Sequence, residues 1–244
     1  MTASHFDRVA HSYDESLPAH VVEHYLRKRV RFVLDHCPRG KALDVGCGTG
    51  ALAAALAAEG YEVVGVDPSD GMLEVMRRRA PELRAVQGSG TSLPFPDDGF
   101  DVVFSVAVMH HVADPGDVRA TLAEMVRVAK PGGRVLVWDH NPRNPYWRPL
   151  MARVPQDTGE ERLIPETEIL AGLRAAGAEP LLSAQLGLVP DLVPRRLLGA
   201  AAAAERLAER TPLLRRLCAH NVILAAKPAA RTPAGPRAAA PGSS

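Results

Sequence analysis

Apolar positions along this chain change period repeatedly, and the changes mark out alternating strands and helices. Ala42, Leu43 and Val45 form a short apolar run suited to a buried parallel strand. A glycine-rich turn follows, and then an alanine-rich stretch, 49–59, that reads as a helix ended by Gly60. The alternation recurs: 61–67 and 83–87 read as the second and third strands, and 100–108, apolar on both faces, as a central fourth. Val118, Leu122, Met125 and Val126 place an amphipathic helix over 117–129, and a KPGG turn leads into a fifth strand, RVLVWD. A helix over 166–176 precedes a last pair of strands, 179–186 and 220–227. Near the amino end, Val22, Leu26, Val30 and Val33 recur at spacings of four, four and three, which predicts a helix over 20–36. Its other face, with Arg27, Lys28, Arg29 and Arg31, reads as solvated.

The glycine turn carries the first chemistry. Residues 43–50 read LDVGCGTG, in which Gly46 and Gly48 permit positive φ and let backbone N–H groups approach a ligand at the start of the following helix. Gly46, Gly48 and Ala51 formally satisfy the dinucleotide pattern G-x-G-x-x-G/A. Asp44 opposes that reading, because its carboxylate would face a bound pyrophosphate and repel it. A cationic or zwitterionic ligand suits the loop better. Asp67 ends the second strand about 20 residues beyond the first glycine, where an acidic side chain accepts hydrogen bonds from ribose hydroxyls in either kind of site.

These residues resemble the first motif of class I S-adenosylmethionine-dependent methyltransferases, and LPFPD, FD and HH within 93–111 are similar to that family's later motifs. The resemblance implies an α/β fold: one doubly wound domain with a mainly parallel seven-stranded, Rossmann-like sheet over about 38–227. It implies methyl transfer from S-adenosylmethionine to a small-molecule acceptor, at oxygen, nitrogen or carbon. By the same resemblance Asp44, Gly46, Cys47 and Gly48 face the methionine part, with Cys47 as a small loop residue. Asp67 faces the ribose, and Ser89 and Gly90 the adenine. Ser89 stands where the family commonly has Asp, which shifts adenine recognition toward the Gly90 backbone. Met72 either reaches the adenine or packs in the core. FDRVAHSYD, at 6–14, resembles the arm that folds over the cofactor, with Tyr13 either on the ligand or anchoring the arm at the surface. Ala107, His110 and His111 follow the fourth strand at the edge where α/β sheets bind ligands. One histidine of the pair is a candidate general base, since imidazole titrates near neutrality; the other reading is a turn cap or a pocket lining. A nicotinamide-dependent oxidoreductase and a non-catalytic S-adenosylmethionine-binding partner are the competing functions.

Composition narrows the rest. The chain has 244 residues, 46% hydrophobic and 23% charged, enough for one good core. Its net charge of +1 directs it to neither nucleic acid nor an anionic membrane. No apolar run approaches the roughly 18 residues of a membrane span. A cytoplasmic monomer or homodimer with a small-molecule partner is expected. Cys37, Cys47 and Cys218 fit reduced thiols. His20, Glu23 and His24 form H-x-x-E-H, the inverted zinc-peptidase pattern, but no third ligand segment accompanies them, so ordinary helix histidines and no metal are expected. Residues 1–37 read as a covering arm and helix. The loop DHNPRNPYW, with His140, Asn141, Tyr146 and Trp147, reads as an acceptor wall or a surface loop. The insertion 187–217 reads as a hinged cap, whose apolar face would be Leu197, Leu198, Leu207, Leu213, Leu214 and Leu217, or as a dimer contact using the same leucines. The Pro/Ala/Gly-rich stretch 228–244 reads as a disordered tail.

Overall fold

The structure, a computed structural model, describes residues 3–15, 17–112, 114–151 and 161–229. The expected tail lies outside the described residues from 230 onward. Seven strands form one sheet: β1 Lys41–Val45, β2 Glu62–Asp67, β3 Arg84–Gln87, β4 Phe100–Val106, β5 Ala129–His140, β6 Glu179–Leu186 and β7 His220–Ala226. Their order is β3-β2-β1-β4-β5-β7-β6. The first five run parallel, and β7 lies antiparallel to both β5 and β6. The chain order reverses direction between β1 and β4, which opens a crevice at the carboxyl ends of the strands.

The helices follow from the same alternation. They are α1 Ala3–Val9, α2 Ala19–His36, α3 Ala51–Ala58, α4 Asp70–Arg79, α5 Met109–Val112, α6 Pro115–Val128, α7 Trp147–Met151, α8 Glu166–Ala175, α9 Leu198–Arg210 and α10 Pro212–Arg215. Successive strand residues point to opposite faces, and both faces are covered. Leu43, Val45, Val103, Val135, Val137 and Ile223 pack against α6 and α8. Ala42, Val102, Phe104, Leu136, Trp138 and Val222 pack against α2, α3 and α4. This parity places the site: Asp44 and Asp67 share the second face, as do His140 and His220, whereas Asp139 points to the first.

Two expectations are corrected, and the cap leucines, whose role was open, take one direction. β4 ends at Val106, not 108, because Ala107 turns into the left-handed region with φ +57° and its N–H donates to the Trp138 carbonyl. The apolar stripe on α2 is wider than its spacing showed. Val33 and Phe32 are buried on the sheet side, where Leu26 and Val30 also pack, but Val21 and Tyr25 are buried too, because the cap covers α2 from a second side. The cap leucines turn the other way. Only Leu198 joins Val21, Tyr25 and Val189 in the small apolar cluster between cap and α2, while Leu197, Leu207, Leu213, Leu214 and Leu217 are exposed. Ala201 and Ala202 form the inward face of α9 instead.

Candidate active site

A cavity of about 840 Å³ runs along the carboxyl edge of the sheet. Every residue expected to face the cofactor or to act as base lines it: Tyr13, Asp44, Gly46, Cys47, Gly48, Asp67, Met72, Ser89, Gly90, Ala107, His110 and His111. From Asp67 on β2 to His220 on β7 the cavity crosses four strand spacings, roughly 19 Å.

The acidic end sits on the glycine loop. Gly46 has φ +76°, and a Cβ there would meet Val108 at 2.5 Å; Gly48 has φ +51° with open space above it. Asp67 Oδ2 accepts from the Gly48 N–H at 2.9 Å and Oδ1 from the Ser69 N–H at 2.9 Å, so this one carboxylate ties the loop to the start of α4. Burial pushes its pKa up, against the pull of those two N–H groups. Asp44 is buried with no described donor to its carboxylate. Burial, followed by the charge of Asp67, pushes it up to about 8, and Arg29 opposes the rise. Cys47 turns its thiol inward, with Sγ 3.5 Å from Met76 Sδ, so only its backbone is offered to a ligand. Met72 is buried beside the cavity and its N–H is capped by Ser69 Oγ at 3.1 Å, so both of its expected roles persist. Ser89 Oγ lies 2.8 Å from Thr91 Oγ1 and accepts from the Thr91 N–H, within its own turn.

The amino-terminal arm closes over this end. Asp7 accepts from Ser69 Oγ and the Gly71 N–H at the start of α4, where a carboxylate also favours the helix dipole. Thr49 Oγ1 donates to Asp14, which also pairs with Arg79. Phe6 and Tyr13 line the cavity, and the Phe6 ring stands edge-on to His111 at 5.2 Å.

The opposite end is rich in imidazole. His110 and His111 both line the cavity because they sit on the single turn α5, not on a strand with alternating faces. His110 Nδ1 donates to Asp139 Oδ1 at 2.7 Å, a pairing that leaves Nε2 as its basic nitrogen. Asp139 Oδ2 accepts from the backbone N–H groups of Met109 and His110. Burial alone would raise Asp139, but His110 and His140 outweigh it and hold the carboxyl well below its usual range. His140 Nδ1 lies 2.9 Å from His110 Nδ1, so one proton serves the pair. Burial pushes His140 down to about 4, and lowers His111 and His220 well below their usual range. Among the described residues His110, Asp139 and His140 are also the group whose ligand atoms converge closely enough, within 4.8 Å, to hold a metal ion. The H-x-x-E-H residues do not converge: His20 bonds the Val193 carbonyl, His24 bonds Glu205, and Glu23 pairs with Arg27.

Several residues escaped the sequence reading. Arg29, assigned to a solvated face, lines the cavity one turn beyond Tyr25, and its buried Nε has no hydrogen-bond partner among the described residues. Burial lowers its pKa, while Tyr25, Tyr13, Asp44 and Asp139 favour its charge. Tyr25 donates to the Val189 carbonyl at 2.7 Å. Of the expected acceptor wall, His140, Tyr146 and Trp147 line the cavity. Asn141 does not; its Nδ2 donates to the Arg216 and Cys218 carbonyls and so holds the cap's end.

Residues 43–137 match the family described as a methyltransferase domain. Among curated relatives, demethylmenaquinone methyltransferase of Renibacterium salmoninarum is 39% identical over 138 residues, which are 55% of this chain and 56% of that protein. The chain thus spans little more than half the length of that relative. A solved structure from Thermotoga maritima, described as an S-adenosylmethionine-dependent methyltransferase and possible histamine N-methyltransferase, covers 92% of this chain and 98% of its own. Its TM-score is 0.70 and its identity 23%. Geranyl diphosphate C-methyltransferase from Streptomyces coelicolor covers 82% of this chain and 77% of its own, with a TM-score of 0.60 and 20% identity. Both share the fold.

Proposed function

We propose that the protein transfers the methyl group of S-adenosylmethionine to a small-molecule acceptor. The observation that carries this reading is the buried Asp44 carboxylate, which accepts no hydrogen bond from a described residue and has only the charge of Arg29 against its burial, at the floor of a glycine loop beside Asp67. A cationic ligand relieves that burial, whereas a pyrophosphate would worsen it, so the nicotinamide reading is disfavoured. The cradle fits the cofactor in shape too, since the space above Gly48 is open. In this reading Asp44 faces the ammonium group, Asp67 accepts from the ribose hydroxyls, and the Arg29 guanidinium receives the methionine carboxylate.

The cofactor, when bound, supplies an activated methyl electrophile. The chain's work is alignment, exclusion of water and removal of a proton from the acceptor. The arm and the cap close the two ends of the cavity, and the turn at Ala107 sets α5 against the middle of the sheet edge. His110 Nε2, oriented through Nδ1 by Asp139, takes the acceptor's proton. The acceptor for which the curated relatives are named, demethylmenaquinone, together with Tyr25, Tyr146, Trp147 and Leu150 in the cavity wall, favours an apolar ring compound.

Calorimetry with S-adenosylmethionine tests the cofactor assignment. Asp67→Ala loses two charge-assisted hydrogen bonds, about 2 to 4 kcal/mol, and weakens binding roughly a hundredfold. An unchanged affinity in that variant overturns the assignment. Radiolabelled methyl transfer to chemically reduced demethylmenaquinone, its quinol form, and to simpler phenols then tests the acceptor class.

A further inference from the structure

The cap, residues 187–217, is unlike the rest of the surface. Seven of the eight large apolar side chains that are exposed among the described residues belong to it, and they include Leu192 at 78%, Leu213 at 72% and Leu207 at 65%. The segment also holds six arginines, at 195, 196, 206, 210, 215 and 216, all exposed and none in an ion pair with a described residue. Its three acidic residues face inward. Glu205 and Glu209 pair with Lys28, and Asp191 accepts from the Tyr146 hydroxyl. The overall charge of +1 conceals this concentration.

We infer that the cap docks on the surface of an anionic lipid bilayer. Short helices that present leucines among arginines match an interface with an apolar interior and a negative rim. A second copy of the chain does not, because apposed caps would bring twelve like charges together. The patch is continuous with the cavity: Leu188 and Leu217 are partly exposed and also line it. Arg148, exposed on α7 beside that mouth, extends the positive rim. No helix among the described residues is long and apolar enough to cross a membrane, so the contact is peripheral. Docking in this orientation turns the acceptor end of the cavity toward the lipid, and an apolar acceptor dissolved there enters without crossing water. This proposal departs from the expectation of no membrane partner, which was drawn from bulk charge.

Co-sedimentation of the full chain with phosphatidylcholine vesicles, with and without phosphatidylglycerol, tests the inference without reference to methyl transfer. Binding at least about tenfold stronger to the anionic vesicles, and lost at high salt, is expected. Leu207→Gln with Leu213→Gln, and separately Arg206→Gln with Arg210→Gln, should each lower it about fivefold or more, with melting temperature and cofactor affinity unchanged. None of these four side chains lines the cavity. Equal binding to both vesicle types, no binding to either, or a lipid-free dimer that the leucine variants dissociate would each overturn the proposal.

Discussion

His110 Nδ1 and Asp139 Oδ1 lie 2.7 Å apart, joining the turn after β4 to the end of β5 in a buried pair. The pairing makes a prediction about catalysis. His110→Gln should lower kcat about a hundredfold or more while leaving cofactor affinity within about threefold, as expected for loss of a general base. Asp139→Asn should lower kcat as well, by releasing the histidine's tautomer, and should shift the acidic limb of the pH–rate profile. If both variants retain full turnover from pH 6 to 9, the acceptor needs no base at this position.

Asp44 titrates where binding can be measured. Its carboxyl is raised to about 8 in the free protein, and a bound cation lowers it again. Cofactor binding therefore releases a proton below pH 8, so affinity should climb from pH 6 to about 8 and level off above. Asp44→Asn should flatten that profile and weaken binding. The sign for stability is opposite. A folded pKa above the unfolded one means that stability is fully present at acid pH and is lost as pH rises toward 8. The same variant should therefore stabilise the free protein at pH 8 by at least about 1 kcal/mol. Melting curves of both proteins at pH 5 and pH 8 check this; equal melting temperatures at both would contradict it.

The imidazole end has the reverse dependence. His140, lowered to about 4, and His111 and His220, also lowered, are buried neutral. Unfolding exposes them to protons at their ordinary pKa, so stability is complete above about 6.5 and is lost as pH falls toward 4. Denaturant melts from pH 7 to pH 4 should show this loss. His140→Gln should make it shallower, and a slope identical to that of the parent would refute the assignment.

Glu205 holds the cap to the body. It is buried, and accepts from Lys28 Nζ at 2.6 Å, His24 Nε2 at 3.0 Å, and the N–H groups of Leu188 and Val189 at 2.7 and 3.1 Å. Burial would raise its pKa, but Lys28 and the Leu188 N–H outweigh it and leave the carboxyl lowered. Breaking a buried pair on one side costs about 3 to 5 kcal/mol. Glu205→Ala should therefore loosen the cap, seen as faster proteolysis within 187–217 at little change in cofactor affinity. Lys28→Met with Glu205→Met should recover part of the loss. Unchanged proteolysis in the single variant would show that the apolar cluster around Val21 and Tyr25 suffices.

Much of the glycine-loop end of the cavity was legible in the residues alone. The short apolar runs located all seven strands to within two residues at each end, apart from β5, whose pairing extends back through the KPGG turn to Ala129. Asp44, the glycines and Asp67 could be placed because each sits on or next to one strand–turn–helix unit, where short-range geometry decides orientation. The imidazole end was not legible in this way. Asp139 read as the last residue of a scaffold strand, and it became the partner of His110 only when β4 and β5 paired and brought residues 29 apart into contact. Arg29 read as solvated because periodicity reports one apolar stripe. It cannot report that a segment 160 and more residues later covers the helix from a second side. The cap leucines were ambiguous for the converse reason: apolar residues at helical spacing fit either a buried face or a surface contact, and alanines were enough to close α9 on α2, with the larger side chains left outward. Local pattern thus determined which elements form and where the cofactor motif lies, while the faces of α2 and α9, the histidine–aspartate pair and the turn at Ala107 were decided by long-range packing.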